Sequence, residues 1–270
     1  LPDRVVTQKA LLFDREIIGL IDEADVRDAE IIDAQGMYVS PGLVDMHIHG
    51  YLGEDNSDGV AEGVVKMAEG IVQNGVTSWL PTTMTVSVDQ LKKVFEMMRG
   101  LRDMSKQPDW QGAEILGVNA EGPFINPSKK GAQAAEYIVP SDAEFIKTYR
   151  DIVRVFTIAP EMPGALQTIE KIKKETDVLI SMGHTGATFD QALAGVRAGV
   201  GHVTHLFNAM TPLAHRDPGV VGAALTTNVS VELIADNFHI HPGLFKLVAG
   251  IKGRKLVLIT DCTRAGGLQD

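Results

Sequence analysis

His47 and His49 stand two residues apart in "PGLVDMHIHG" (41–50), at the end of an apolar run that follows Pro-Gly. In a strand, residues i and i+2 share a face, so both imidazoles project together. Such a pair is either a polar patch on a surface strand or half of a metal site. Other apolar runs close in the same way: "NAEGP" presents Glu121, "SMGHTG" presents His184, "HVTHLFNAM" presents His205 and "LITDCT" presents Asp261. Imidazole and carboxylate together suit zinc, and also iron, manganese or cobalt. Three protein ligands with an open fourth position is the catalytic arrangement, and Glu121, His184 and His205 supply one such set. His47 and His49 would complete a second position or enlarge the first, so one or two divalent ions are expected. Asp261 reads as the proton shuttle, taking a proton from an activated water and delivering it to a leaving group. Its plainer reading is a helix N-cap.

The remaining histidines divide. His202 lies three residues before His205 and points to the other face of its strand, which makes it structural. His215 and Arg216 share the loop "PLAHRDPG", and His239 and His241 follow "IADNF". A His–Arg pair on a loop and a histidine at a strand end are suitable anion donors, because Arg grips phosphate oxygens in a forked geometry. Without neighbouring motifs they would read as solvated loop charge. Cys262 reads as strand packing.

The elements that must position these groups follow from alternation. Strands are expected at Gly42–His49, Val76–Thr82, Ile115–Ala120, Val153–Ala159, Val178–Gly183, His202–Leu206, Ser230–Ala235 and Leu256–Thr260. Amphipathic helical stretches are expected at Val60–Asn74, Val88–Asp103, Ser141–Arg150, Ala165–Thr176, Phe189–Ala198 and Pro242–Lys252. Continuous apolar strands, each followed by a helix, indicate a parallel sheet covered on its outside. A doubly wound open sheet would alternate in the same way, but it gathers its chemistry at one switch point. Here the reactive residues end many different strands, the pattern of an α/β (β/α)8 barrel of TIM type spanning residues 41–270. Residues 1–40 differ. "ALLFDREIIGL" and "EIIDAQGMYVS" read as short strands on either side of an acidic turn, part of a small β-element too short to hold a core alone.

Composition sets outer bounds. The 270 residues are 44% apolar and 22% charged, as in ordinary globular chains. A net charge of −10 with no basic block, and only 6% aromatic residues, argues against nucleic-acid binding. An anionic substrate would have to be held by local Arg and His against an unfavourable overall field. A single cysteine excludes an internal disulfide framework and fits the cytoplasm. No apolar run is long enough to span a membrane, and no signal peptide is visible. The chain opens on Leu1 and stops soon after its last strand-like run, so it reads as trimmed, with the eighth helix missing.

"PGLVDMHIHG", "AEGPFINPSKKGA", "TIAPE", "SMGHTGAT", "THLFNAMTPLAHRDPG", "IADNFHIHP" and "LITDCTRAGG" together resemble the N-acetylglucosamine-6-phosphate deacetylases of the amidohydrolase superfamily, from about residue 40 onward. The resemblance implies a metal-dependent barrel and a small β-sandwich built from both chain ends, to which residues 1–40 would belong. It implies Glu121, His184 and His205 as ligands of the principal metal, His47 and His49 as ligands of a second, and Asp261 as catalytic acid/base. It also implies phosphate contacts from Asn208, the Ala209 backbone, Arg216 and His239. His215 is grouped with them as a substrate-binding candidate. Arg216 would reach the neighbouring subunit's site, which implies a homodimer. One departure stands out: where some members carry His after "KKGA", this chain has Gln133, which can donate a hydrogen bond but carry no charge. Polarisation of an acetyl carbonyl then rests on Gln133 and more heavily on metal. The implied reaction is hydrolysis of the acetamide of a phosphorylated amino sugar to acetate and the free amine. The galactosamine epimer remains open, as do another amidohydrolase reaction (a cyclic-amide hydrolase or a base deaminase) and a non-catalytic ligand-binding relative. A carboxylated lysine, frequent in cyclic-amide hydrolases, has no counterpart in "TIAPE".

Overall fold

A computed structural model describes residues 4–14 and 16–269. The chain forms two compact units, Leu1–Gly42 and Leu43–Asp270. In the first, β1 (Ala10–Phe13) pairs antiparallel with β2 (Ile17–Ile21), Ala10 opposite Ile21. The strand expected within "EIIDAQGMYVS" does not form, and Ile31, Ile32, Met37, Tyr38 and Val39 are exposed. Apolar alternation makes a strand only where another strand accepts its backbone hydrogen bonds, and this segment pairs with none among the described residues.

The second unit is a barrel. β3 (Leu43–Ile48) leads into a small hairpin of β4 (Gly50–Tyr51) and β5 (Glu54–Asp55). Then come β6 (Val76–Thr83), β7 (Glu114–Ile115), β8 (Val118–Ala120), β9 (Val153–Ile158), β10 (Leu179–Met182), β11 (His202–Val203), β12 (Ser230–Ile234) and β13 (Leu256–Ile259). Their neighbours run β3-β6-β8-β9-β10-β11-β12-β13 in chain order, all parallel. The ring closes where Ile48 bridges Cys262: His49 N donates to Cys262 O (2.8 Å) and Asp261 N to His47 O (2.9 Å). The expected third strand is broken in two, with β7 and β8 separated at Gly117. A Cβ there would stand 2.7 Å from Ile152 O, and its φ of 150° suits glycine.

Among the described residues seven α-helices cover the outside: α1 (Ala61–Val72), α2 (Val88–Met104), α3 (Ala143–Thr148), α4 (Ala165–Glu175), α5 (Phe189–Ala198), α6 (Gly219–Thr226) and α7 (Phe245–Lys252). Their packing follows from spacing. In α2, Leu91, Val94, Phe95, Met98 and Leu101 fall on one stripe and all are buried against the strands, with Trp79 and Ile115 among the neighbours in that core. Ser87 caps α2 by accepting from Gln90 N, and Thr188 and Gln191 form a capping box on α5. Helix α6, "GVVGAALT", is absent from the expected set because it has no polar face, so its sequence carries no period. Lys252 reaches back from α7 and donates to Ala224 O and Thr227 O at its end.

The barrel interior is polar under the site. Thr157 on β9 bonds Thr204 beyond β11 at 3.0 Å, skipping the intervening strand, and Ser181 joins them. Asn119 on β8 donates to Met46 O on β3 (2.9 Å) past β6. Such bonds between non-adjacent strands can only cross the interior.

Candidate active site

The strand ends deliver the predicted groups to one mouth. Glu121 follows β8 directly and His49 follows β3. His184, His205 and Asp261 each lie two residues beyond a strand end, and each has a positive φ (46°, 27° and 48°). That left-handed backbone is uncommon for residues other than glycine and clusters at functional sites. Here it turns the chain at the strand end. Gly122 (φ 86°) lets the chain leave Glu121, since a Cβ would stand 2.0 Å from Thr85 Oγ1.

Glu121 is the centre. Its Oε1 lies 2.8 Å from His205 Nε2, 3.1 Å from His184 Nε2 and 3.5 Å from His47 Nε2. Its Oε2 lies 3.1 Å from His49 Nε2 and accepts from Gln133 Nε2. The paired rings approach nitrogen to nitrogen, 3.1 Å between His184 and His205 and 3.2 Å between His47 and His49. Asp261 Oδ1 lies 3.4 Å from both His47 Nε2 and His49 Nε2. All but Asp261 are buried.

The opposite ring nitrogens decide what those Nε2 atoms carry. His184 Nδ1 faces Lys129 O (2.9 Å) and His205 Nδ1 faces Asn208 O (3.1 Å), so each must donate there. His47 Nδ1 faces Glu232 Oε2 (2.9 Å). In the neutral rings of His47, His184 and His205 the Nε2 lone pairs then point at Glu121 and, for His184 and His205, at one another. Acceptors crowded in this way repel unless a cation lies among them. Two buried trios, His47–His49–Glu121 and Glu121–His184–His205, have ligand atoms within 4.8 Å of one another and share Glu121. The donor chemistry therefore fits a divalent ion at either trio.

The charges agree. Burial pushes His47 down, but Glu232 and Glu121 outweigh it and hold the imidazole up at about 10. Burial likewise opposes His49, yet Asp261 and Glu121 raise it to about 9. Burial favours a neutral Glu121, but His184 and His47 outweigh it and keep its carboxyl well below the usual range. Asp261 is also held down, chiefly by His49 and His47 against the upward push of burial. The carboxylates of Glu121 and Asp261 stay ionised, and His47 and His49 beside them favour positive charge, a condition that a bound cation also satisfies.

Gln133 is buried. One amide proton goes to Glu121 Oε2 and the other faces only Met84 Sδ at 3.8 Å, while its oxygen accepts from Thr85 N (2.6 Å). Ala209 lies near His184: its O accepts from Thr185 N (3.1 Å), and a Cβ at Gly131 would be 3.4 Å from the His184 ring and 4.0 Å from Ala209 Cβ. Asn208 Nδ2 reaches back to His205 O at 3.5 Å. His215 and Arg216 are exposed on the loop between β11 and α6. His239 is exposed and bonds Asp236 (2.8 Å), and His241 accepts from Gly243 N as a cap. Glu232 was not among the expected site residues. Its signal is a lone carboxylate in the apolar strand "SVELI", since Glu is almost never fully buried unless paired.

A parallel barrel with imidazoles and carboxylates gathered at the carboxyl ends of its strands is the architecture of the barrel hydrolases. The chain belongs to the amidohydrolase family, whose profile matches residues 38–265. It is 40% identical over 236 residues to an N-acetylglucosamine-6-phosphate deacetylase of Bacillus subtilis, covering 85% of this chain and 59% of that one. It is 33% identical to an N-acetylgalactosamine-6-phosphate deacetylase of Escherichia coli O157:H7, over 99% of this chain and 72% of the relative. Among solved structures, the N-acetylglucosamine-6-phosphate deacetylase of Pasteurella multocida superposes with a TM-score of 0.90 at 31% identity, covering 100% of this chain and 71% of that one. The chain thus spans about three fifths of the Bacillus relative's length.

Proposed function

We propose that this chain carries the active site of a metal-dependent deacetylase that hydrolyses N-acetylglucosamine 6-phosphate to glucosamine 6-phosphate and acetate. The observation that carries the reading is the convergence of Glu121, His184, His205, His47, His49 and Asp261 at one barrel mouth. The names of the relatives supply the substrate class.

Glu121, His184 and His205 would hold the principal ion, and His47 and His49, sharing Glu121, a second. Zinc, iron, manganese and cobalt all accept this donor set. A divalent ion held there supplies Lewis acidity, acidifying water and polarising an acyl oxygen. Asp261 Oδ1 receives the proton of the attacking water and returns it to the departing nitrogen. One Gln133 N–H orients Glu121. The other, resting on a weakly accepting thioether, turns to the acetyl oxygen. Asn208, the Ala209 backbone, His215, Arg216 and His239 grip the phosphate and supply remote binding energy for positioning. What supports a role for Arg216 across a homodimer is its exposure on the β11–α6 loop. Residues 1–40 belong to a small β-sandwich, with the catalytic barrel beginning at residue 41. The single cysteine suits the cytoplasm, and among the described residues no helix is long and apolar enough to cross a membrane.

The test is acetate release from N-acetylglucosamine 6-phosphate by metal-free protein reloaded with each ion in turn. Turnover restored by metal supports the reading, and none with any ion sinks it. The galactosamine epimer is the second reading, favoured by the Escherichia coli relative. A higher kcat/KM on the galactosamine substrate would select it.

A further inference from the structure

One buried carboxylate beneath the site holds no place in the reaction just described. Glu232 lies on β12 with no exposed surface, and among the described residues it pairs with no Lys or Arg. Its Oε2 accepts from His47 Nδ1 (2.9 Å) and from the backbone N–H of His205 (3.0 Å). Its Oε1 faces His202 Nε2 (3.1 Å), and the far nitrogen of His202 is anchored on Ser230 Oγ (2.6 Å). An ionised carboxylate in an interior is strongly unfavourable unless its oxygens are fully occupied. Glu232 meets that condition by gripping β3 and the chain beyond β11 at once, one residue from each trio.

The two trios depend on it differently. His184 and His205 have their Nδ1–H groups fixed by backbone carbonyls, Lys129 O and Asn208 O. The ring orientation of that trio needs no carboxylate. In the other trio, His49 Nδ1 is buried without a hydrogen-bond partner. His47 is therefore the only imidazole there whose tautomer is set from behind, and Glu232 sets it. Outer carboxylates of this kind orient metal-binding imidazoles and commonly carry 10- to 100-fold in metal affinity.

We propose that Glu232 is a positioning residue that makes His47 a competent ligand, so that it governs filling of the His47–His49–Glu121 position and leaves the Glu121–His184–His205 position nearly unaffected. The inference rests on the metal-dependent reading above. It predicts two unequal ion sites, the first held by backbone-fixed rings and the second contingent on one buried carboxylate. His202 acts behind Glu232, holding its other oxygen toward Ser230.

The experiment is calorimetric titration of metal-free protein with Zn2+, with bound zinc counted by elemental analysis after gel filtration. The unsubstituted chain should take up two ions in separable steps. Glu232→Gln should keep the first step within about threefold and weaken the second by about tenfold or more. In the double variant with His47→Gln, the Glu232 substitution should add nothing to the loss caused by His47→Gln alone, because it acts through that ring. Equal weakening of both steps, no change in either, or uptake of a single ion by the unsubstituted chain overturns the inference. Should Glu232→Gln fail to fold, 15N imidazole shifts of the unsubstituted zinc-loaded protein decide it. They should show His47 protonated at Nδ1 and metallated at Nε2, and the reverse arrangement overturns it. Absence of any zinc binding would sink the metal-hydrolase reading itself, whereas binding without this discrimination sinks only the role of Glu232.

Discussion

At the scale of single residues, each site group is defined by what its second atom touches. Asp261 is held ionised beside two imidazoles, His47 and His49. Asp261→Asn should leave zinc content intact and lower turnover by about 100- to 10,000-fold. Near-normal turnover would remove it from proton transfer. Gln133 poses a sharper question, because its amide faces both Glu121 and the weakly accepting thioether of Met84. If the Glu121 contact matters, Gln133→Ala should weaken zinc binding by about tenfold as well as slow turnover. If only acyl polarisation matters, turnover alone should fall while the zinc isotherm is unchanged. The residue types were legible in the sequence, and so was the shared face of His47 and His49. The back-side partners Lys129 O and Asn208 O were not, since a backbone carbonyl has no signature in a sequence. Glu232 was visible as an odd carboxylate in an apolar strand, but what it grips was not.

At the scale of elements, periodicity located all eight barrel strands and six of the seven helices near their observed positions. The failures have physical causes. Helix α6 is buried on nearly every side and so has no stripe, Gly117 splits a strand that its apolar run suggests is continuous, and "EIIDAQGMYVS" has the pattern of a strand but pairs with none among the described residues. Between elements, one ion pair invites measurement. Arg99 on α2 binds Asp151 in a fork, Nε to Oδ2 and Nη2 to Oδ1, both 2.7 Å. This pair, through its hydrogen bonds, holds the Asp151 carboxyl below its ordinary value of 3.8. A depressed carboxylate stabilises the fold above its unfolded pKa and loses that contribution as pH falls through the folded one. Arg99→Met should therefore cost about 0.5–1 kcal/mol at neutral pH, the fork being half-exposed and screened. In urea unfolding the gap from the unsubstituted protein should close as pH drops below 3.8. A gap of constant size down to the acid limit would mean that Arg99 contributes through contacts that do not titrate, its packing on Tyr149 and its bond to Thr148 O.

At the scale of the whole molecule, the site is also part of what holds the barrel closed. Asp261 and Cys262 pair with His47 and His49 across the seam between β13 and β3, so ions that draw these groups together also draw the last strand to the first. Ligand that binds only the folded state adds about 2.7 kcal/mol at a hundredfold excess over Kd. For a chain of this size that is about 5–10 °C in Tm. Removing metal with a chelator should lower Tm by that amount, and free zinc at a hundredfold excess over Kd should restore it. A chelator-insensitive Tm would show that closure does not depend on the ions.

By itself the sequence determined that strands alternate with helices, that imidazoles and carboxylates end several of those strands, and that their motifs together match one family. Those properties are local: side-chain period, turn chemistry and residue type are written in neighbouring positions. Tertiary structure alone decided that Glu121 lies between two pairs of imidazoles rather than with one. It alone brought Glu232 beneath both trios and turned Gln133 onto Glu121. It also left residues 30–40 unpaired with any strand among the described residues. These arrangements link positions up to 185 apart in the chain, as with His47 and Glu232, and only barrel closure makes them neighbours.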